Sequence, residues 1–164
     1  MNNILFFGPP GAGKGTQAKI ISNLLNIPHL STGDILRSKI EEKDPLALKV
    51  KQTIADGKLV SDDILNSIVA DRLKKDGKNG FILDGYPRTL DQSDFLNSYL
   101  KNSGIDLDYI FNIFIDFDVL KNRILKRSQE EQREDDNINV LKTRYNAYTD
   151  TTSKVSARYM RELK

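Results

Sequence analysis

The sequence contains no cysteine and one histidine in 164 residues. Without thiols there is no disulfide framework, no thiol nucleophile and no thiolate zinc site, so no structural zinc is expected. His29 alone cannot build a histidine-based metal cluster. No apolar run approaches the ~20 residues a membrane-spanning helix requires; the longest lies around Tyr109 to Ile115. The amino terminus passes from Met1-Asn2-Asn3 straight into Ile4-Leu5-Phe6-Phe7. It has neither a basic region nor a small-residue cleavage site, so a cytoplasmic chain with no membrane partner is expected. An excess of one charge is also missing. Twenty-five Lys and Arg against 23 Asp and Glu leave +2, which argues against nucleic acid as the main partner. Repeats and Pro/Gly/Ser-rich linkers are absent, so the chain reads as one domain. At 38% hydrophobic and 29% charged residues, that domain is expected to be soluble and globular.

What is present alternates between short apolar runs and helical periodicity. Strands are predicted at Ile4–Phe7, Pro28–Leu30, Gly80–Asp84 and Tyr109–Asp116. Helices are predicted at Lys14–Leu25, from Ser31-Thr32-Gly33-Asp34 onward, at Pro45–Ala55, Asp62–Lys75, Leu90–Leu100, Val119–Lys126 and Ile138–Tyr148. Such alternation predicts an α/β domain, three layers with a mainly parallel sheet flanked by helices.

Gly8-Pro9-Pro10-Gly11-Ala12-Gly13-Lys14-Gly15-Thr16 follows the first strand and opens the first helix. This is the context in which a glycine-rich loop cradles phosphates. Its backbone N–H groups turn inward, the helix amino terminus adds about half a positive charge, and Lys14 reaches the terminal phosphates. Asp84 ends an apolar strand, where a carboxylate can hold magnesium through water beside those phosphates. Arg88 offers a planar fork suited to bidentate phosphate binding. Arg123 and Arg127, four residues apart, share one helix face.

The phosphate loop resembles that of adenylate kinases and their nucleoside monophosphate kinase relatives. The resemblance runs on through Ser31-Thr32-Gly33-Asp34-Ile35-Leu36-Arg37, Asp56-Gly57-Lys58-Leu59-Val60 and Gly80-Phe81-Ile82-Leu83-Asp84-Gly85-Tyr86-Pro87-Arg88-Thr89. It implies a P-loop core over 1–32, 61–127 and 134–164, an AMP-binding segment at 33–60 and a short lid at 128–133. It further implies ATP binding by Gly11, Ala12, Gly13, Lys14, Gly15 and Thr16 with Arg123 and Arg127. AMP would be held by Thr32, Gly33, Arg37, Lys58, Val60, Gly85, Arg88, Gln92, Arg133 and Arg144. Lys14, Arg88, Arg123, Arg133 and Arg144 would act in catalysis, with Mg2+ bound alongside ATP and held by Asp84 through water. His29 is expected to be a packed strand residue.

Thr89 with Gln92 favours AMP over the pyrimidine monophosphates, because related pyrimidine kinases carry Arg-Asn where this chain has Arg88-Thr89. A UMP/CMP kinase on the same scaffold is the alternative. Relatives also continue into a fifth strand and a final helix, and neither is expected here after Tyr148. A monomer with an uncovered sheet edge is expected, with edge-to-edge dimerisation as the other arrangement. A nucleotide-binding protein weakened in catalysis is the corresponding functional alternative.

Overall fold

The computed structural model describes residues 1–131 and 137–162. Four parallel strands, β1 (Asn2–Phe7), β2 (His29–Ser31), β3 (Gly80–Asp84) and β4 (Tyr109–Asn112), form a sheet in the order β2-β3-β1-β4. β1 and β3 lie centrally, and their continuous apolar sequence reflects burial on both faces. Alternation along β1 sends Leu5 and Phe7 into one core, with Leu83, Phe81, Leu96 and Tyr159. Ile4 and Phe6 enter the other, with Ala18, Ile27 and Ile82.

Around the sheet stand α1 (Lys14–Leu25), α2 (Thr32–Glu41), α3 (Pro45–Ala55), α4 (Asp62–Asp76), α5 (Leu90–Asn102), α6 (Phe117–Glu131), α7 (Ile138–Ala147) and α8 (Ser153–Glu162). A π-turn at Tyr148–Thr152 joins α7 to α8. Side chains cap four of these helices: Ser31 on α2, Asp44 on α3, Thr89 on α5 and Asn137 on α7. α1 differs. Its cap is Gly13 at φ +91, with no side-chain cap bond and no acid in the first turn. Its amide donors and dipole are left for a ligand.

Two expectations are corrected. β4 stops at Asn112 rather than Asp116, because its partner β1 ends at Phe7, opposite Asn112. The chain also adds α8 after Tyr148, unforeseen because the helix buries only Val155, Ser156 and Tyr159. Among the described residues β4 has no outer partner, and its Tyr109 and Phe111 are 52% and 41% exposed. Among them, too, no helix is long and apolar enough to cross a membrane.

Phe6 sits opposite Asp84 in the β1–β3 register, so the loop after β1 and the turn after β3 emerge side by side. β1 connects toward one side of the sheet and β3 toward the other, the crevice where open α/β sheets bind ligands. Leu83, fully buried in β3, measures the sheet's contribution to stability. Leu83→Ala is expected to lower unfolding free energy by about 3 kcal/mol, read by urea denaturation.

Candidate active site

Residues of the phosphate loop, Lys14, Thr16, Asp84, Gly85, Arg37, Arg88, Arg127 and Arg144 line one open cleft of about 400 Å³. A second hollow between α2, α3, α4 and α7 is lined by Thr32, Gly33, Arg37, Lys58, Val60, Arg88 and Arg144, with Leu36, Ile54, Leu59 and Leu65 as apolar walls. The two hollows share Gly33, Arg37, Arg88 and Arg144.

Lys14 donates to the carbonyls of Gly8 and Pro9 at 2.9 and 3.1 Å, so its ammonium sits inside the curl of its own loop. Burial pulls its pKa down to about 8; Asp84 opposes that shift, while Arg88, Arg144 and Arg127 add to it. Burial likewise lowers the pKa of Arg88, with Asp84 opposing and Arg37 contributing. The cleft therefore gathers cations at an electrostatic cost that an anion relieves.

The Gly85 carbonyl accepts from Arg88 Nε at 2.7 Å and from Thr32 Oγ1 at 3.0 Å. Gly85 has φ +81, and a Cβ there would lie 2.9 Å from both Arg88 Nη2 and Thr32 Oγ1. Only glycine supplies that carbonyl without displacing the guanidinium. With Nε engaged by the carbonyl of its own turn, Arg88 lines both hollows.

Asp84 accepts from, or ion-pairs with, His29 Nε2 at 3.1 Å. A Cβ on Gly15 would lie 3.6 Å from Asp84 Oδ2, so the glycine keeps space beside the carboxylate. Among the described residues no group of three or more His, Cys, Asp or Glu could hold a metal. A single carboxylate with room beside it suits magnesium, which retains several waters and takes further ligands from phosphate.

The remaining predicted residues fall into three groups. Arg123 donates to the Ala12 carbonyl at 3.3 Å and so braces the phosphate loop from α6, while Arg127, one turn on, lines the cleft. Gln92 is fully buried and lines neither hollow. Its Oε1 accepts from the Arg88 N–H at 2.7 Å, and its Nε2 donates to Asp62 Oδ1 at 2.8 Å. Arg133 lies outside the described residues, as does the end of the 128–133 lid; residues 128–131 continue α6. Sequence reasoning gave His29 no place in the cleft, although it lines the wall beside Asp84. The available signal was its place on β2, two residues before Ser31, which pairs with Asp84.

Comparison with known proteins gives a coherent picture. A family model described as adenylate kinase matches residues 6–164. An adenylate kinase of Beijerinckia indica subsp. indica is 44% identical over 163 residues, covering 95% of this chain and 84% of that protein. One of Corynebacterium glutamicum (strain R) is 45% identical over 157 residues, with the same coverage. One of Thermosipho africanus is 40% identical over 190 residues, covering 99% of this chain and 89% of its own. None of these matches favours the UMP/CMP alternative. A phosphate loop, a strand-end carboxylate and two hollows joined by shared guanidiniums lie within a match spanning nearly the whole chain, and the chain belongs to the adenylate kinase family.

Proposed function

We propose that this chain transfers the terminal phosphoryl group of ATP reversibly to AMP, giving two ADP, with magnesium bound to the donor. The observation that carries this reading is the meeting of two hollows at Arg37, Arg88 and Arg144. One hollow suits a polyphosphate, and the other suits a nucleoside monophosphate whose base packs on apolar walls. A reaction consuming ATP and AMP, and a chain without cysteine, agree with a cytoplasmic place.

On the donor side, the amides of Gly11 to Thr16 and the Lys14 ammonium cradle the phosphates, with Arg123 and Arg127 along α6. On the acceptor side, Arg37 and Arg88 grip the AMP phosphate, and Thr32, Gly33, Lys58, Val60 and Gly85 form the walls toward the base. Gln92, buried away from both hollows, serves acceptor binding through the Arg88 N–H it accepts from, with its amide anchored on Asp62. An oxygen of the AMP phosphate attacks the terminal phosphorus while the bond to the bridging oxygen breaks, leaving the electron pair on ADP. Such transfer needs alignment and charge neutralisation more than covalent help. Lys14, Arg88, Arg123, Arg133 and Arg144 supply the positive charge. Asp84 and Thr16, which line the same cleft, would hold magnesium, Asp84 through water, and the ion would neutralise phosphate charge.

The direct test is ADP formation from ATP with AMP, UMP, CMP or GMP, with magnesium and with excess EDTA. AMP-selective turnover that stops with EDTA is expected. Preference for UMP or CMP, or nucleotide binding without turnover, would overturn the reading. Lys14→Ala and Arg88→Ala are each expected to lower kcat by about 10²–10³, or about 3–4 kcal/mol, in the same assay.

The depressed Lys14 pKa has a thermodynamic signature. At pH 8 about half of the free protein carries neutral Lys14, and a polyphosphate favours the charged form. Binding of a non-hydrolysable ATP analogue at that pH should take up about half a proton. Titration calorimetry in buffers of different ionisation enthalpy measures it, and Lys14→Met should abolish the uptake.

A further inference from the structure

We infer that Thr152 is a positioning residue for acceptor use, acting through the main chain of Arg88. The inference rests on the reading of Arg88 as a ligand of the acceptor phosphate. Thr152 closes the π-turn between α7 and α8, is 7% exposed, and donates its hydroxyl to the Arg88 carbonyl at 3.1 Å.

Neighbouring hydroxyl residues behave differently. Thr143, Thr149, Ser153 and Ser156 each donate to a carbonyl three or four residues earlier in their own helical stretch. That local bond is the ordinary use of a hydroxyl within a helix. Thr152 instead reaches across 64 positions of sequence to the turn after β3. A π-turn holds more backbone than an α-turn and so rotates the helix after it relative to the helix before it. Here α7 presents Arg144 to both hollows, and the end of the π-turn presents Thr152 to Arg88.

Arg88 is thereby fixed at three points. Its N–H is held by Gln92 and its carbonyl by Thr152, while its Nε is held by the Gly85 carbonyl. The Gly85 and Gln92 contacts come from the same turn and from α5, the helix it leads into. Thr152 alone of the three ties this turn to the helical pair bearing Arg144, so its hydrogen bond sets the spacing between the two guanidiniums. Farther along α8, Arg158 with Asp94 and Tyr159 with Asn97 hold that helix to α5. They fasten the helix but do not reach the site. Thr152 therefore governs where the acceptor phosphate sits between Arg88 and Arg144, and not the donor's seat on the phosphate loop.

The test compares Thr152→Val, which keeps the shape and removes the donor, with Thr152→Ser, which keeps the donor. Circular dichroism checks folding, initial rates are taken with AMP or ATP varied, and calorimetry gives AMP affinity. Thr152→Val should lower kcat/KM for AMP about tenfold, weaken AMP binding and leave the ATP KM within about twofold. Thr152→Ser should restore both. In an Arg88→Lys background, adding Thr152→Val should cost little further AMP affinity, because the residue it positions is already altered. If Thr152→Val fails to fold, Thr152→Ala removes the same donor and is judged identically.

Unchanged AMP use in the folded variant, equal losses for ATP and AMP, or an undiminished loss in the Arg88→Lys background would overturn the inference. Failure of Arg88→Lys itself to affect AMP would overturn the reading of Arg88, and the inference with it. Impaired AMP use in Arg88→Lys with none in Thr152→Val overturns the inference alone.

Discussion

The parallel pairing of β1 with β3 is the constraint on which the site depends. Because Phe6 faces Asp84, the curl from Gly8 to Gly13 and the turn from Asp84 to Arg88 leave the sheet at the same height. A slip of one residue would also turn each strand's side chains to the opposite face, moving Leu5 and Phe7 out of one core and Ile4 and Phe6 out of the other. Burial on both faces thus sets the register. The register then fixes the distance between phosphate loop and carboxylate without any contact devoted to that purpose.

Around that frame the cleft is built for charge it does not itself supply. Lys14 and Arg88 both have pKa values lowered by burial, and their cationic neighbours lower them further. Asp84 is the carboxylate that opposes both shifts. The glycines serve the same end. Gly13 caps α1 without occupying its amides, and Gly85 offers its carbonyl to Arg88 where a side chain would collide with the guanidinium. These positions give up intrinsic stability so that donors point inward.

Much of this was legible in the sequence wherever local chemistry decides the outcome. Lys14–Leu25, Pro45–Ala55 and Gly80–Asp84 begin and end where expected, each bounded by strong punctuation: Gly13, the Asp44-Pro45 cap, and Gly85-Tyr86-Pro87. The four motifs named Thr32, Arg37, Lys58, Val60 and Arg88, and the resemblance named Arg144; all six line one hollow, although they span more than a hundred positions of sequence. Tertiary choices were hidden. β4 ends early because its neighbour ends, α8 follows a π-turn instead of a cap, and His29 meets Asp84 through strand pairing. Gln92 was legible as a polar residue one turn beyond Arg88. Its clamp on the Arg88 N–H and Asp62 depends on α4, thirty residues earlier, lying against α5.

The sharing of Arg88 and Arg144 between two hollows answers a physical difficulty specific to joining two phosphates. Two unit negative charges 4 Å apart repel by about 4 kcal/mol at an effective dielectric constant near 20, and each phosphate carries more than one. Separate clamps would hold each nucleotide yet leave that repulsion opposing their approach. On the proposed function, the guanidiniums common to both hollows lie where the two phosphates converge, so they attract both groups and screen one from the other. The repulsion between Arg37 and Arg88 in the free protein is relieved at the same time. The arrangement therefore favours the doubly occupied cleft over either half-filled one, which is the state from which transfer occurs.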